Sequence, residues 1–446
     1  MKSFISFLEK YFVPFAAKIG AQRHLVAIRD GFVAIMPLII VGSLGTLVNN
    51  LGIPAYQSFM KNIFGPRWTL FGGNIWWGTF AIMSVFVAFT VAYNLAKSYD
   101  ANPIAAGTIS LCNYFMFIPQ SINVAIGEKV GDIAVPAEFV GKEIEAWGNI
   151  NWGFLNATSL FAALLIAIVS TEIFVRLSRS KKLTINMGEN VPPAVAKSFA
   201  SLLPVIIVVT IGSFASVFIT LAGSNLFTFI NGLIQKPLLN LGSSLLGAIL
   251  IPFFNQLLWF FGLHGGNILE PVQQMLNTPA ITANVEALAA GKAAPYVYCK
   301  PFYDAFVAMG GSGTTISLVA AIFVASKRKH YRTLAGLSAG PGLFNINESM
   351  IFGMPIVLNP IFFIPFLLVP VVVSVVAYIA IAIGLVPAVT VAIPWTTPPI
   401  LGGYLATSGS FAGAILSTVN LALAFLIYVP FIILAEKFED KVEEAK

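Results

Sequence analysis

Long apolar runs separated by short polar segments dominate the pattern of this chain. Each run is long enough to cross ~30 Å of hydrocarbon as a helix, and the runs are continuous where outer-membrane barrel strands alternate and are short. The pattern therefore predicts membrane-spanning helices at about 26–52, 75–96, 102–124, 153–175, 199–223, 240–263, 301–325, 357–385 and 411–435.

The composition agrees with a membrane protein and narrows the chemistry. Hydrophobic residues make up 57% of the chain and charged residues 10%, and the mean hydropathy is +0.86. A soluble domain carries roughly a quarter charged residues. Cys112 and Cys299 have no metal or redox spacing, so we expect no metal and no cofactor. The net charge of +6 describes the loops and their side of the membrane, not a nucleic-acid partner.

The charged loops predict the orientation of the spans. Basic clusters lie before the first span, in 176–198 and in 326–333, whereas 128–145 is mostly acidic. Because Lys and Arg accumulate on the cytoplasmic side, the basic clusters are predicted inside and 125–152 outside. Only three strong spans join the two later basic loops, although an even number of crossings is required. An extra crossing or a re-entrant excursion is therefore predicted in 264–300.

The same reasoning makes 334–356 a re-entrant hairpin that enters and leaves on the cytoplasmic side. The last two spans then return the C-terminus to the cytoplasm. The predicted fold class is an all-α polytopic membrane protein with about ten transmembrane helices plus two re-entrant hairpins.

One carboxylate stands alone in the last part of the chain. Across 333–435 the only charged residue is Glu348, which lies in a break rich in Asn, Gly and Pro at 341–360. A bare carboxylate in hydrocarbon is costly, and broken backbone at membrane depth is tolerated where it lines a cavity. Glu348, with Asn345 and Asn347, is therefore predicted to face a polar cavity. The alternative is an ordinary surface Glu in a turn between two helices.

A second break runs from Gln256 through Trp259 and His264 to Asn267, where an apolar helix meets a His flanked by glycines. Gly-Gly pairs let the backbone approach a ligand and free amides at a helix end. Trp259 offers a flat amphipathic face of the kind that stacks on sugar rings. A lone buried His is usually a satisfied core residue, but two isolated ionisable residues in Gly- and Asn-rich breaks favour a functional site.

A third break, Ile393-Pro-Trp-Thr-Thr-Pro-Pro-Ile400, carries Trp395, which is either an interfacial anchor or a binding residue. Together the breaks favour a carbohydrate ligand, because neutral polyols need many amide and hydroxyl partners, an aromatic platform and little fixed charge. An ion transporter needs several intramembrane carboxylates and an amino-acid carrier needs a fixed charge pair. The sequence shows neither.

These motifs resemble those of a known family. Phe344-Asn-Ile-Asn-Glu348 with Phe352-Gly-Met-Pro-Ile-Val-Leu-Asn-Pro360 is similar to the signature of enzyme IIC, the sugar-transporting membrane component of the bacterial phosphotransferase system. The closer match is its lactose/cellobiose/diacetylchitobiose family. Trp259-Phe-Phe-Gly-Leu-His-Gly-Gly-Asn267 and the N-terminal Phe15-Ala-Ala-Lys-Ile-Gly-Ala-Gln-Arg-His-Leu25 agree with it, and the likeness covers nearly the whole chain.

The resemblance implies vectorial group translocation across the bacterial cytoplasmic membrane. A disaccharide enters from outside, and the phosphocysteine of a separate cytoplasmic enzyme IIB, with IIA upstream, phosphorylates its 6-hydroxyl. Glu348 and His264 are the catalytic candidates that hold this hydroxyl, with Glu348 as the base that accepts its proton. The substrate-binding candidates are Asn347, Asn267, Trp259, Trp395, Gln256 and Asn345.

The family resemblance also implies a homodimer of ten-helix protomers in the lipid bilayer. On this basis the chain divides into an N-terminal amphipathic helix (1–22), a transmembrane dimerisation and scaffold half (23–176), a cytoplasmic amphipathic linker (177–198), a fifth-helix and interfacial segment at the dimer side (199–239), a sugar-binding transport half with the re-entrant hairpins (240–437) and a cytoplasmic tail (438–446).

The residues leave alternatives from other classes open, namely a channel or membrane-embedded structural protein and a proton-coupled secondary transporter. A proton-coupled secondary sugar transporter would use Glu348 and His264 as a proton relay, without phosphorylation. Such a transporter requires a proton gradient, so uncouplers would abolish its uptake.

Overall fold

The structure is a computed structural model of the 446-residue chain. It describes residues 10–11, 14–15, 18–19, 21–50, 54–127, 129–130, 133–134, 136, 138–185, 192, 199–354 and 356–444. The predicted N-terminal helix at 1–22 and the second half of the predicted linker at 177–198 lie largely outside the described residues.

The described residues form helices that are numbered here in chain order. The series begins with α1 (Arg23–Asn50), α2 (Pro54–Phe64), α3 (Leu70–Trp77), α4 (Met83–Lys97), α5 (Pro103–Met116) and α6 (Leu160–Ser178). It continues with α7 (Leu202–Leu221), α8 (Leu226–Ile230), α9 (Lys236–Gly242), α10 (Leu245–Phe260), α11 (Gly265–Ala289) and α12 (Lys300–Phe306). It ends with α13 (Thr315–Ala325), α14 (Lys329–Leu343), α15 (Glu348–Gly353), α16 (Pro360–Ala382), α17 (Leu401–Ala406) and α18 (Phe411–Glu444).

Several of these helices are suited to a bilayer. Among the described residues, six helical stretches are long and apolar enough to cross a membrane, and one of them, Leu70–Lys97, includes both α3 and α4. A seventh is added if Leu226–Gly242 and Leu245–Phe260, which are bent by 72° at their junction, form one broken span. The all-α polytopic membrane fold is thereby confirmed, while the number of ten crossings and the sidedness of the hairpins stay predictions.

Two predicted spans differ from the helices that form. The span predicted at 102–124 is shorter, because α5 ends at Met116 just before Pro119. The span predicted at 301–325 is two helices, α12 and α13, separated by a turn at 307–314. Four residues of this turn have a positive φ that a continuous right-handed helix cannot contain: Gly310 (76°), Gly311 (91°), Gly313 (88°) and Thr314 (55°).

The acidic loop contains β-structure that the sequence analysis did not predict. Strand β1 (Ser121–Ala125) pairs antiparallel with β4 (Glu143–Trp147), and β2 (Lys129–Val130) pairs with β3 (Ile133–Ala134). The first four residues of β4, Glu-Ile-Glu-Ala, alternate polar and apolar positions, which is the pattern of a strand with one apolar face.

One compact unit consists of Asp30–Ile35 and Ala81–Lys236. Helices α4, α5 and α6 pack against one another, and the buried face of α4 carries the small residues Ala88, Ala92 and Ala96, which permit close helix contacts. Helix α7 packs on this group, but only 17% of an 18-residue apolar stretch of this helix is buried. Such exposure is typical of a helix that faces lipid or another membrane subunit.

The other compact unit consists of Met1–Arg29, Met36–Phe80 and Pro237–Lys446, and it contains every predicted site residue. Helix α10 packs against α16, and α18 packs against α13, α16 and α17. Buried polar side chains bond to neighbouring helices, as where the Ser374 hydroxyl donates to the Ala248 carbonyl at 2.6 Å. The predicted domain boundaries and roles stay predictions, because the two compact units do not show which part dimerises or moves.

Candidate functional site

Two helix breaks of the second unit meet at one place. Helix α10 ends at Phe260 and α11 begins at Gly265, while α14 ends at Leu343 and α15 begins at Glu348. After α15, the Leu358 N–H donates a hydrogen bond to the Phe260 carbonyl at 2.9 Å. That carbonyl lies at the C-terminus of α10, where carbonyl groups have no partner within the helix. The bond therefore attaches the chain that carries Glu348 to the end of α10.

His264 caps the N-terminus of α11. Its Nδ1 accepts a hydrogen bond from the Asn267 N–H at 3.1 Å, which satisfies one of the free amides of the first turn. Because Nδ1 is the acceptor, the neutral imidazole carries its proton on Nε2. The Trp259 ring packs against the imidazole, with the ring centroids 4.3 Å apart at an angle of 46°. The cap and the indole together fix the direction of the Nε2–H bond.

Glu348 faces this Nε2–H. Its Oε1 lies 4.0 Å from His264 Nε2, and the Glu348 and His264 side chains are 49% and 45% exposed. The separation is too long for a direct hydrogen bond. A hydroxyl oxygen between the two groups lies within hydrogen-bond distance of both, accepting from Nε2–H and donating to the carboxylate. The pair is thus arranged to hold one hydroxyl group and to accept its proton.

Asn345 joins three segments of this unit. Its backbone has φ +63°, in the left-handed region that Asn tolerates better than most residues. Its Oδ1 accepts from the Gly310 N–H at 2.7 Å, and its Nδ2 donates to the carbonyls of Trp395 at 2.6 Å and Thr397 at 2.9 Å. These bonds tie the turn before α15 to the turn at 307–314 and to the loop that carries Trp395.

Asn347 is also directed inward. Its side chain is buried, and its Nδ2 donates to the Ser312 carbonyl at 2.6 Å and to Thr315 Oγ1 at 2.9 Å. Both asparagines next to Glu348 therefore bind the turn between α12 and α13. Their amide N–H groups are used within the protein.

We call the turn at 307–314 the closed break, because side chains donate hydrogen bonds to the carbonyl groups that the interrupted helix leaves without a partner. This satisfies the requirement that backbone polar groups away from water be paired. The remaining bonds are Thr314 Oγ1 to the Val307 carbonyl (2.7 Å), Thr315 Oγ1 to Gly310 (2.5 Å), the Tyr428 hydroxyl to Gly313 (2.6 Å), Asn420 Nδ2 to Phe306 (2.9 Å) and Ser417 Oγ to Ala305 (3.1 Å).

The predicted site residues thus fall into three groups. His264 and Glu348 form an exposed pair, and Asn267 is an exposed residue of the first turn of α11. Trp259 is buried at 2% exposure behind the imidazole, and Gln256 is fully buried within α10. The side chain of Trp395 is 50% exposed, and Asn345 connects its backbone to the turn before Glu348.

Sequence reasoning missed two features of this site. The first is the closed break, although Gly310-Gly311-Ser312-Gly313-Thr314 within an apolar run was a visible signal. The second is Phe352 on α15, whose side chain is 60% exposed and whose ring centroid lies 6.2 Å from that of Trp259. An exposed Phe in a membrane protein is ordinarily a lipid contact, so no sequence signal marked it.

Comparison with known proteins gives the same family for the family match and for the similar sequences. The family "Phosphotransferase system, EIIC" matches residues 29–370. The chain is 38% identical to the lichenan permease IIC component of Bacillus subtilis (strain 168), over 98% of this chain and 94% of that protein. It is also 38% identical to the cellobiose-specific EIIC component of Geobacillus stearothermophilus, over 100% and 97% of the two chains.

A solved structure agrees over the full length. The crystal structure of ChbC, the IIC component of an N,N'-diacetylchitobiose-specific phosphotransferase system, superposes with a TM-score of 0.91 at 38% sequence identity. The match covers 99% of this chain and 100% of that chain.

Proposed function

We propose a substrate and a reaction for this chain, which belongs to the phosphotransferase system EIIC family as a sugar permease of the cellobiose and chitobiose branch. It is a multi-pass protein of the bacterial cytoplasmic membrane, and as an EIIC component it works with EIIB and EIIA. We propose that it carries a disaccharide like cellobiose or diacetylchitobiose inward. The 6-hydroxyl of the sugar is presented for phosphorylation by the phosphocysteine of EIIB.

The observation that carries this proposal is the 4.0 Å separation between Glu348 Oε1 and His264 Nε2, with both side chains accessible. The sugar hydroxyl accepts a hydrogen bond from His264 Nε2–H and donates one to Glu348. As its oxygen attacks phosphorus, the new O–P bond forms and the S–P bond of the phosphocysteine breaks. The hydroxyl proton passes to Glu348, and the thiolate remains on EIIB. General-base catalysis of this kind contributes about 10²–10⁴-fold in rate.

The other candidate residues have supporting roles in this proposal. Trp259 and the Asn267 amide N–H orient the imidazole, which is supported by the 4.3 Å ring contact and the 3.1 Å cap. Asn345 and Asn347 position the turn before Glu348 through their bonds to the closed break. The exposed Trp395 side chain provides an aromatic surface for the sugar, and Gln256 is fully buried within α10.

We also propose that the first half of the chain forms a homodimer contact while the second half holds the sugar. The largely exposed apolar face of α7 supports such a contact. Cross-linking the protein in lipid and measuring its mass tests this. A monomer at all protein-to-lipid ratios would contradict it.

The reaction is tested with the purified chain in proteoliposomes, phosphorylated EIIB and a panel of labelled sugars. We expect cellobiose or diacetylchitobiose to be recovered as the 6-phosphate, with no effect of a protonophore. Recovery of unmodified sugar together with loss of uptake on adding the protonophore would instead establish a proton-coupled transporter.

A further inference from the structure

Helix α15 has two contrasting faces. Met350 and Ile351 are 1% and 0% exposed and point into the protein. Glu348 and Phe352 are 49% and 60% exposed. Because residues i and i+4 lie one above the other on a helix, the carboxylate and the phenyl ring share one outward face. Phe352 is thus one helical turn from the proposed base.

The neighbour of Phe352 places it near the His264–Glu348 pair. Its ring centroid lies 6.2 Å from that of Trp259, and the Trp259 ring centroid lies 4.3 Å from that of His264. Trp259 itself is 2% exposed, so its ring face is covered by its neighbours and is not available to a ligand. Phe352 is the exposed member of this aromatic pair.

A lipid contact does not explain this exposure. Ionised carboxylates are excluded from hydrocarbon and face water-filled cavities or the protein interior. Because half of the Glu348 side chain is exposed, the face of α15 that it occupies borders a polar space. Phe352 shares this face, so a large apolar ring borders the polar space beside the catalytic pair. An aromatic ring so placed offers a flat apolar surface to a ligand.

We infer that Phe352 is the platform for the sugar ring that receives the phosphoryl group, and that this ring stacks on the phenyl ring before the transfer. The apolar C–H face of a pyranose packs on the ring while its hydroxyl lies between His264 and Glu348. This inference rests on the proposed function and adds a residue to it. The phenyl quadrupole, negative on its face, attracts the positive C–H groups of the sugar. Stacking then orients the ring, and the His264–Glu348 pair selects the hydroxyl.

Calorimetry on the detergent-solubilised chain, with cellobiose and N,N'-diacetylchitobiose and without EIIB, tests the inference. We expect Phe352→Leu to weaken binding about fivefold, because it keeps the apolar volume and removes the ring face, whereas Phe352→Tyr stays within about twofold. Phe323→Leu is the matched control. Its side chain is 40% exposed on α13, outside both helix breaks and outside the proposed dimer contact, so the same exchange should leave affinity unchanged.

A second series separates stacking from shape. Fluorinated phenylalanines at position 352 keep the ring shape and withdraw electron density from its face, so affinity should fall stepwise with the number of fluorine atoms. If Phe352→Leu binds a disaccharide as tightly as wild type, or if affinity does not depend on fluorination, the stacking inference is wrong and the proposed function stands. If the wild-type chain binds neither sugar, both the stacking inference and the proposed substrate are wrong.

Discussion

The break at 307–314 and the break pair at 261–264 and 344–348 lie in the same unit. The first is rich in Gly, and the second contains Gly262, Asn345 and Asn347. They differ in where their polar groups go. In the first break, the side chains of Asn347 and Tyr428 donate to the carbonyls of Ser312 and Gly313, and Asn345 accepts from the Gly310 N–H. In the second, His264 and Glu348 are about half exposed, and their facing atoms are 4.0 Å apart.

In the closed break at 307–314 the polar groups are bonded within the protein. In the break pair at 261–264 and 344–348, called the open break here, the side chains of His264 and Glu348 are accessible to a ligand. A polar group bound within the protein contributes to stability and specifies the local geometry, whereas an accessible one can exchange its partner for a ligand. The two breaks are physically coupled, since Asn345 and Asn347 come from the turn before Glu348 and bond to the closed break. Changes at the open break should therefore alter catalysis, and changes at the closed break should alter stability.

The largest effect is expected at the open break. Glu348→Gln keeps the shape and hydrogen-bonding capacity of the side chain but removes the base, so sugar phosphorylation by EIIB should fall about 10²–10⁴-fold. Sugar affinity should change much less. Initial rates and calorimetry measure the two quantities, with Glu138→Gln, an exposed carboxylate of the other unit, as the control. Full phosphorylation activity of Glu348→Gln would remove this residue from the catalytic role.

The next largest effect is expected at the closed break. Gly313 has φ +88°, and a Cβ there would collide with the Phe366 ring. Strain and overpacking each cost roughly 1–3 kcal/mol, so Gly313→Ala should lower the free energy of unfolding by about 3 kcal/mol.

Gly384 separates the two causes, because it has φ +78° and no side-chain or backbone neighbour within 4 Å of an added Cβ. Gly384→Ala should cost only the backbone strain, about 1 kcal/mol. Denaturant unfolding in detergent gives both values. Equal losses for the two variants would show that crowding at the closed break is unimportant.

A smaller loss is expected when Asn345, the residue that joins the two breaks, is replaced by glycine. Asn345→Gly keeps the left-handed backbone but leaves the Gly310 N–H and two carbonyl groups without their side-chain partner, at about 2 kcal/mol. Asn345→Ala should be less stable than Asn345→Gly by about 1 kcal/mol, because it adds strain at φ +63°. Thermal unfolding measures whether stability falls from wild type to Asn345→Gly to Asn345→Ala. Equal stability of all three would contradict the bonded, left-handed Asn345 described here.

The smallest effect is expected outside both breaks, at the basic turn before α14. Lys327 and Lys329 are exposed there and lie on the predicted cytoplasmic side. If they steer an acidic EIIB, replacing both with Gln should slow phosphorylation about threefold at low ionic strength and not at all in ~1 M salt, where the Debye length is about 3 Å. An unchanged salt dependence would assign these charges to membrane topology alone.

The sequence by itself determined the class of protein, the two ionisable residues of the site and the class of reaction. Long apolar runs require a bilayer, because no soluble fold buries so many of them, and this part of the prediction is confirmed. The isolation of Glu348 and His264 in helix breaks marked the site, since a lone ionisable group in an apolar segment requires a compensating environment. The family motifs around both residues added the reaction class.

Only the tertiary structure decided which polar and aromatic residues of the site are exposed and which are bonded or covered within the protein. Hydrogen-bond partners such as Asn345 with Trp395 and Tyr428 with Gly313 lie far apart in the chain, so no local pattern distinguishes a bonded amide from a free one. The same holds for the aromatic rings. Trp259 is covered and Phe352 is exposed because of how α10, α11 and α15 pack, and packing depends on residues that adjoin only in the folded unit.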